Sequence, residues 1–340
     1  QYLLAASVLA LQDAKLDASL FDPDELGVVV SSTLSGLQSI SNYDYTAVKE
    51  GPQYVSPMEA PNTLANAPAS HLAIRLKARA LNTTIANGQC SGFDALGYAA
   101  KALRERRARY VVVGGVEELN PSVLWVYRNS KVLPEQRAED AGHPFDRDST
   151  GWLPSEGAAV LVLERKSDAL ARGTRPLAEL AAWSSAFAPS SALEKRAQTL
   201  KRTALQALSA GHLTSGDVNV VVSGASGLAE QDQAEALALH SLLADNPGAY
   251  VTAVKGTLGE SYGASGIFQV LSAVGMFNRG IVPPTLGLKN QSSAVPLLPG
   301  LSVEARTWSG SPRGTALLTS QDLFGSTSAV VLRGCEHEGA

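Results

Sequence analysis

Residues Thr83 to Leu96 read TTIANGQCSGFDAL. The β-branched opening is a strand. It breaks at the turn pair Asn87-Gly88 and restarts as a helix near Ser91. A side chain at such a junction points into a crevice facing a helix N-terminus, where backbone N–H groups and the helix dipole favour a thiolate or an oxyanion. Cys90 is therefore a candidate nucleophile, set against the commoner fate of a free cysteine as a small buried hydrophobe.

The same alternation extends outward. A helix over Gln1 to Leu16, with Leu3, Leu4, Val8 and Leu11 at helical spacing, precedes a strand over Leu26 to Ser31 (LGVVVS); a helix over Phe93 to Arg106 precedes a strand from Tyr110 to Gly114 (YVVVG). Apolar β-branched runs between amphipathic helices predict parallel strands covered on both faces, an α/β protein. Beyond Arg172 the order repeats: strand 177–184, helix 193–210, strand 218–223, helix 231–243, strand 250–253, helix 264–279. Each half closes on a short strand, Ala158 to Glu164 and Ser328 to Arg333. Two similar lobes, 1–172 and 173–340, are expected, related by element order rather than by residue identity. The helix at Gln1 starts without an N-cap, so the first lobe is expected to lack its opening strand. Residues Ser41 to Pro61 show little periodicity and read as a surface or interface excursion.

Composition bounds the function. The 340 residues are 45% hydrophobic and 18% charged, enough for a large core. With 28 Lys and Arg against 32 Asp and Glu, the net charge is −4, and nucleic acid is not an expected partner. Cys90 and Cys335 match no zinc spacing, so no metal is expected and a reducing cytoplasm is the default. No apolar run has the roughly 18 residues of a membrane span.

A nucleophilic thiol needs a base within reach. The five histidines are His71 on a helix, His143 before Pro-Phe-Asp, His212 and His240 near helix ends, and His337 in the tail. None lies in the glycine-rich turns that follow strands, Ser223 to Glu235 (SGASGLAEQDQAE) and Lys255 to Gly266 (KGTLGESYGASG). Those turns display Gly224, Ser226 and Glu260 where an α/β fold presents its functional groups.

Together with Pro61 to Asn66 (PNTLAN), His143 to Asp146 (HPFD), Ser155 to Glu164 (SEGAAVLVLE) and Phe324 to Ala329 (FGSTSA), these segments resemble the β-ketoacyl synthases of the thiolase-like superfamily over essentially the whole chain. The resemblance implies a thiolase-like fold of two α/β lobes in five αβαβα layers. It also sets the register of the site. Gly92 and Asp94 put Gln89 at the nucleophile position, one place before Cys90. Counting back from Asp232 and Glu235 puts Gly224 at the first catalytic histidine, and the Lys255 to Glu260 run puts Glu260 at the second. Of the reactive set only Lys255 is kept.

Decarboxylative condensation needs a thiolate to carry the acyl chain and N–H donors for the enolate left when malonyl loses CO2. Gln89 forms no such thioester, Gly224 has no side chain, and an ionised Glu260 only accepts hydrogen bonds. Glutamine at the nucleophile position is similar to the chain-length factors of type II polyketide synthases. The resemblance implies a partner subunit with no catalytic residue of its own. It would pair as a heterodimer with an active ketosynthase and shape the acyl tunnel, receiving substrates on the phosphopantetheine of an acyl carrier protein and binding no cofactor itself. The implied gate lies in Met58 to His71 and Leu119 to Tyr127, with Met58, Pro61, Leu64, Ala65, Pro68, Leu124 and Tyr127 as candidates beside a plain interface-packing role. Two other readings stay open: an active synthase using Cys90 in a shifted register, and an unpaired binding or regulatory relative. Lys255 and Glu260, placed on one turn, are expected to pair.

Overall fold

The computed structural model describes residues 1–17, 22–134, 138–294, 296–308 and 313–335; His337 lies outside them. The chain forms two compact units. One comprises Gln1–Val132, Ser155–Arg165 and Ser261–Ala264, and the other Leu133–Pro154, Lys166–Glu260 and Ser265–Ala340. The units therefore interleave along the sequence instead of meeting at one cut.

The first unit contains α1 (Tyr2–Asp13), β1 (Leu26–Ser31), α2 (Leu37–Lys49), α3 (Ala67–Leu76), β2 (Leu81–Ile85), α4 (Ser91–Arg104), β3 (Tyr110–Glu117), α5 (Pro121–Asn129) and β4 (Gly157–Glu164). Its sheet has the order β2-β1-β3-β4, with β1 parallel to both neighbours and β4 antiparallel to β3. Val28, Val29 and Val30 are all fully buried. Since alternate residues of a strand face opposite sides, both faces of β1 are covered. Val28 and Val30 pack with Leu3 and Leu11 of α1 and Leu72 of α3; α4 packs on β1 and β3.

The second unit contains α6 (Lys166–Ala171), β5 (Ala178–Phe187), α7 (Leu193–Ala210), β6 (Val220–Val222), α8 (Ala229–Leu242), β7 (Tyr250–Thr252), α9 (Lys255–Leu258), α10 (Ser265–Arg279), β8 (Ile281–Val282), β9 (Arg306–Thr307), β10 (Thr315–Gln321) and β11 (Ser326–Gly334). Its main sheet runs β5-β11-β10-β6-β7, while β8 and β9 form a separate two-stranded ladder. Strands β6, β7 and β10 are mutually parallel, and β11 is antiparallel to β10 and β5.

Aligned by order, β2-β1-β3-β4 matches β7-β6-β10-β11, and each series ends on an antiparallel strand. The two sheets thus share a strand order. The first sheet has four strands where the second has five, because β5 has no counterpart there among the described residues.

Two expectations need correction. The sheets are mixed, not wholly parallel: β4 lies antiparallel beside β3 and β11 antiparallel beside β10, the latter through a short turn at 322–325 that needs no crossover helix. The excursion at 41–61 begins as a helix, since α2 covers Leu37–Lys49, followed by short 3-10 turns at Pro52–Tyr54 and Ala60–Thr63. Helix α2 buries no residue, so its few apolar side chains do not mark it as a core helix. Among the described residues no helix is long and apolar enough to cross a membrane.

Candidate functional site

In the first unit, β2 leads through a tight turn into α4. Ser91 builds this turn: its Oγ donates to the Gly88 carbonyl at 2.7 Å and accepts from the Asn87 N–H at 2.7 Å, with Thr33 Oγ1 at 3.2 Å. Asn87 Nδ2 donates to Asp94 Oδ2 at 2.7 Å, tying the turn to the first turn of the helix. Gln89 and Cys90 sit inside this frame, both with no exposed surface. Cys90 is the N-cap of α4 and makes no side-chain cap bond. The amide expected at the nucleophile position therefore stands directly before a helix N-terminus.

The second unit carries Gly224, Lys255 and Glu260. Gly224 follows β6, and its N–H donates to Glu235 Oε1 at 2.9 Å. A β-carbon there would lie 2.7 Å from the Thr319 carbonyl oxygen and 3.1 Å from Ser320 Cα, both backbone atoms of β10. No side chain fits at 224 without moving a central strand.

Glu260 is held in two ways. Its N–H donates to the Leu153 carbonyl at 2.7 Å. Its carboxylate accepts from Lys255 Nζ at 2.8 Å and from Ser265 Oγ at 2.5 Å, with both members of the ion pair buried. The pairing expected from their placement on one turn is present. At this position the protein offers a carboxylate saturated by a cation and a hydroxyl, not a neutral N–H donor.

Two further acids, used above only to set register, organise the turn after β6. Asp232 accepts the backbone N–H groups of Phe145, Ser226 and Gly227 at 2.8 to 2.9 Å. Burial pushes its carboxyl up to about 7 despite those bonds. Glu235 accepts from Ser223 Oγ, Gly224 N, Thr319 Oγ1 and Gln321 Nε2. The HPFD aspartate, Asp146, accepts from the N–H groups of Lys289, Asn290 and Asp148. Sequence reasoning missed Glu117 at the end of β3, a buried carboxylate that accepts from the N–H groups of Thr33 and Leu34. An acid closing an otherwise apolar strand was the available signal.

The gate candidates fall into two environments. Met58 is 82% exposed, Leu64 56% and Leu124 39%, and they share the surface with Val48 (83%) and Trp125 (67%). Helix α2 packs against α5 and both 3-10 turns, and Ser122 Oγ donates to Gln38 Oε1 at 3.2 Å. Pro61 is exposed, and Ala65 and Pro68 are half-buried. Tyr127, by contrast, is buried, its ring edge-on to that of Tyr262 at 6.0 Å.

The histidines make other contacts: His71 Nε2 lies 3.2 Å from Asn62 Oδ1, and His240 Nδ1 lies 3.2 Å from the Leu297 carbonyl. Among the described residues no group of three or more His, Cys, Asp or Glu side chains is arranged to hold a metal ion.

Comparison with known proteins matches residues 1–169 to the β-ketoacyl synthase N-terminal domain and residues 177–289 to the β-ketoacyl synthase C-terminal domain. A Streptomyces coelicolor protein named for actinorhodin polyketide β-ketoacyl synthase 2 is 32% identical over 97% of this chain and 80% of its own length. Two solved structures share the fold at 22% identity, each covering 98% of this chain. One is the ishigamide ketosynthase/chain length factor, with a TM-score of 0.87 over 81% of that chain. The other is a type II PKS acyl-carrier protein in complex with its ketosynthase bound to the hexaketide, with a TM-score of 0.89 over 84% of that chain.

Proposed function

The chain belongs to the β-ketoacyl synthase family, and we propose that it serves there as a chain-length factor. It carries out no condensation itself, pairs with a catalytically complete ketosynthase, and helps line the cavity into which that partner extends an acyl chain. The observation that carries this reading is the buried Lys255–Glu260 pair. Condensation develops negative charge on a malonyl-derived enolate, and the second imidazole position must stabilise it by donating a hydrogen bond. A carboxylate there repels that charge instead. Gly224, closed off by the β10 backbone, and Gln89, an amide in place of a thiol, support the same conclusion.

Pairing is supported by the large apolar side chains that α2, α5 and the segment between 55 and 64 leave exposed, Val48, Met58, Leu64, Leu124 and Trp125, on elements that pack against one another. Exposed apolar side chains in this number fit an interaction surface. Met58, Pro61, Leu64, Ala65, Pro68, Leu124 and Tyr127 remain the proposed gate. Substrates arrive on the phosphopantetheine of an acyl carrier protein, in the cytoplasm, and this chain holds no cofactor. The halves 1–172 and 173–340 are proposed as copies of one ancestral lobe.

Acylation at Cys90 is the competing reading, favoured by its place at a helix N-terminus and opposed by its complete burial. Co-expression with a Cys-His-His ketosynthase, size-exclusion chromatography and intact-mass analysis after incubation with malonyl-loaded carrier protein test the proposal. A heterodimer that makes polyketide, with acyl groups found only on the partner, is expected. Turnover with an acyl group on Cys90 of the isolated chain overturns it.

A further inference from the structure

We infer that Tyr262 is a positioning residue that fixes the buried wall at Tyr127 and through it the length of acyl chain accepted; this rests on the chain-length reading above. Tyr127 lies one turn beyond Leu124 on α5, so the two share a helix face, with Leu124 at the surface and Tyr127 beneath it. The Tyr262 ring meets the Tyr127 ring edge-on, 6.0 Å between centroids and 74° between planes, and is itself buried. Removing either ring leaves the other without its edge-on neighbour.

Plain aromatic packing accounts for that contact but not for the backbone beneath it. Tyr262 has φ +47, a left-handed conformation that a bulky aromatic residue rarely adopts. The neighbouring Gly263 holds it there. Its N–H reaches the Glu117 carboxylate, and a β-carbon on it would lie 2.6 Å from Glu117 Oε1 and 2.9 Å from the Thr33 nitrogen. Glu117 in turn accepts from the N–H groups of Thr33 and Leu34, and the Thr33 hydroxyl shares a hydrogen bond with the Ser91 hydroxyl in the turn around Gln89. Backbone strain maintained by a buried carboxylate and an obligatory glycine marks a conformation the fold over-determines. What it delivers is a tyrosine ring against the innermost gate candidate.

The test uses this chain paired with its catalytic ketosynthase and a malonyl-loaded carrier protein, reading product length by mass spectrometry. Y262A is expected to shift most of the product to chains longer by at least one two-carbon unit, Y262F to restore the wild-type distribution, and Y127A/Y262A to move it no further than Y262A. If Y262A fails to fold, Y262L is read in its place. A wild-type distribution from either variant, at wild-type heterodimer yield, overturns the inference. A wild-type pair that makes no polyketide overturns the chain-length reading first, before any variant is compared.

Discussion

Lys255 Nζ lies 2.8 Å from Glu260 Oε2, with 3% and 0% of the two side chains exposed. Two opposite charges this deep are tolerated only together, because each alone would keep its desolvation penalty with no compensating attraction.

Breaking the pair from one side should therefore be severe. E260M and K255M are each expected to lower unfolding free energy by about 3–5 kcal/mol, whereas K255M/E260M recovers most of the loss. Denaturant titration of all four proteins measures the coupling; additive single effects contradict it.

Gly224 is fixed by sterics. G224A is expected to destabilise by about 1–3 kcal/mol, since the added carbon meets the Thr319 carbonyl and not a side chain that can rotate away. G224H should be worse and should confer no condensing activity. A G224A protein with an unchanged thermal midpoint counts against this.

Burial raises Glu117 and Asp232 to about 7 from ordinary values of 4.5 and 3.8. The folded chain thus keeps two protons that the unfolded chain releases. Their stabilisation is complete below the unfolded values, declines as pH rises from about 4 to 7, and is gone above the folded values. Across the window Glu117 contributes up to about 3 kcal/mol and Asp232 up to about 4 kcal/mol. Denaturation midpoints at pH 5, 6, 7 and 8 should fall and then level, and E117Q should flatten the decline by about half.

The surface of α2 and α5 should govern pairing alone. V48D, M58D and W125D are each expected to weaken heterodimer formation at least tenfold, about 1.4 kcal/mol, without lowering the melting temperature of the isolated chain. Analytical ultracentrifugation reads the first effect and calorimetry the second. Unaltered pairing in all three moves the interface elsewhere.

The two thiols should react unequally. Cys90 is fully buried and is expected to resist iodoacetamide until the chain unfolds; Cys335 is half-buried, with its thiol pushed up by burial, and should label slowly in the native state. Peptide mass mapping before and after denaturation distinguishes them.

Much of this architecture was legible because it is written locally. Helix α7 runs over Leu193–Ala210 as its amphipathic spacing predicts, and LGVVVS is β1 to the residue. Helix α2 was not legible, because LQSISNYDYTAVK buries nothing and is rich in side chains that compete for backbone hydrogen bonds. Strand β10 was not anticipated either: TALLTSQ mixes apolar and hydroxyl residues, and all seven are buried because neighbours on both edges and both faces enclose them. At the candidate site, the family register puts Gln89 by counting from Gly92 and Asp94, Gly224 by counting from Asp232 and Glu235, and Glu260 by the run that starts at Lys255. Counting cannot reveal that Thr319, far along the chain, fills the space beside Gly224, or that Glu117 clamps Gly263. Such relations depend on tertiary contact and leave no trace in spacing.

The closeness of β10 to residue 224 works as a ratchet. Placing an imidazole there would first require the strand carrying Thr319 to retreat, and that strand is paired on one side with β6 and on the other with β11. A glycine codon is two nucleotide changes from a histidine codon, and the sheet adds a demand for coordinated movement on top of them. Acquisition of an imidazole at this turn is therefore blocked by geometry even where selection would reward it.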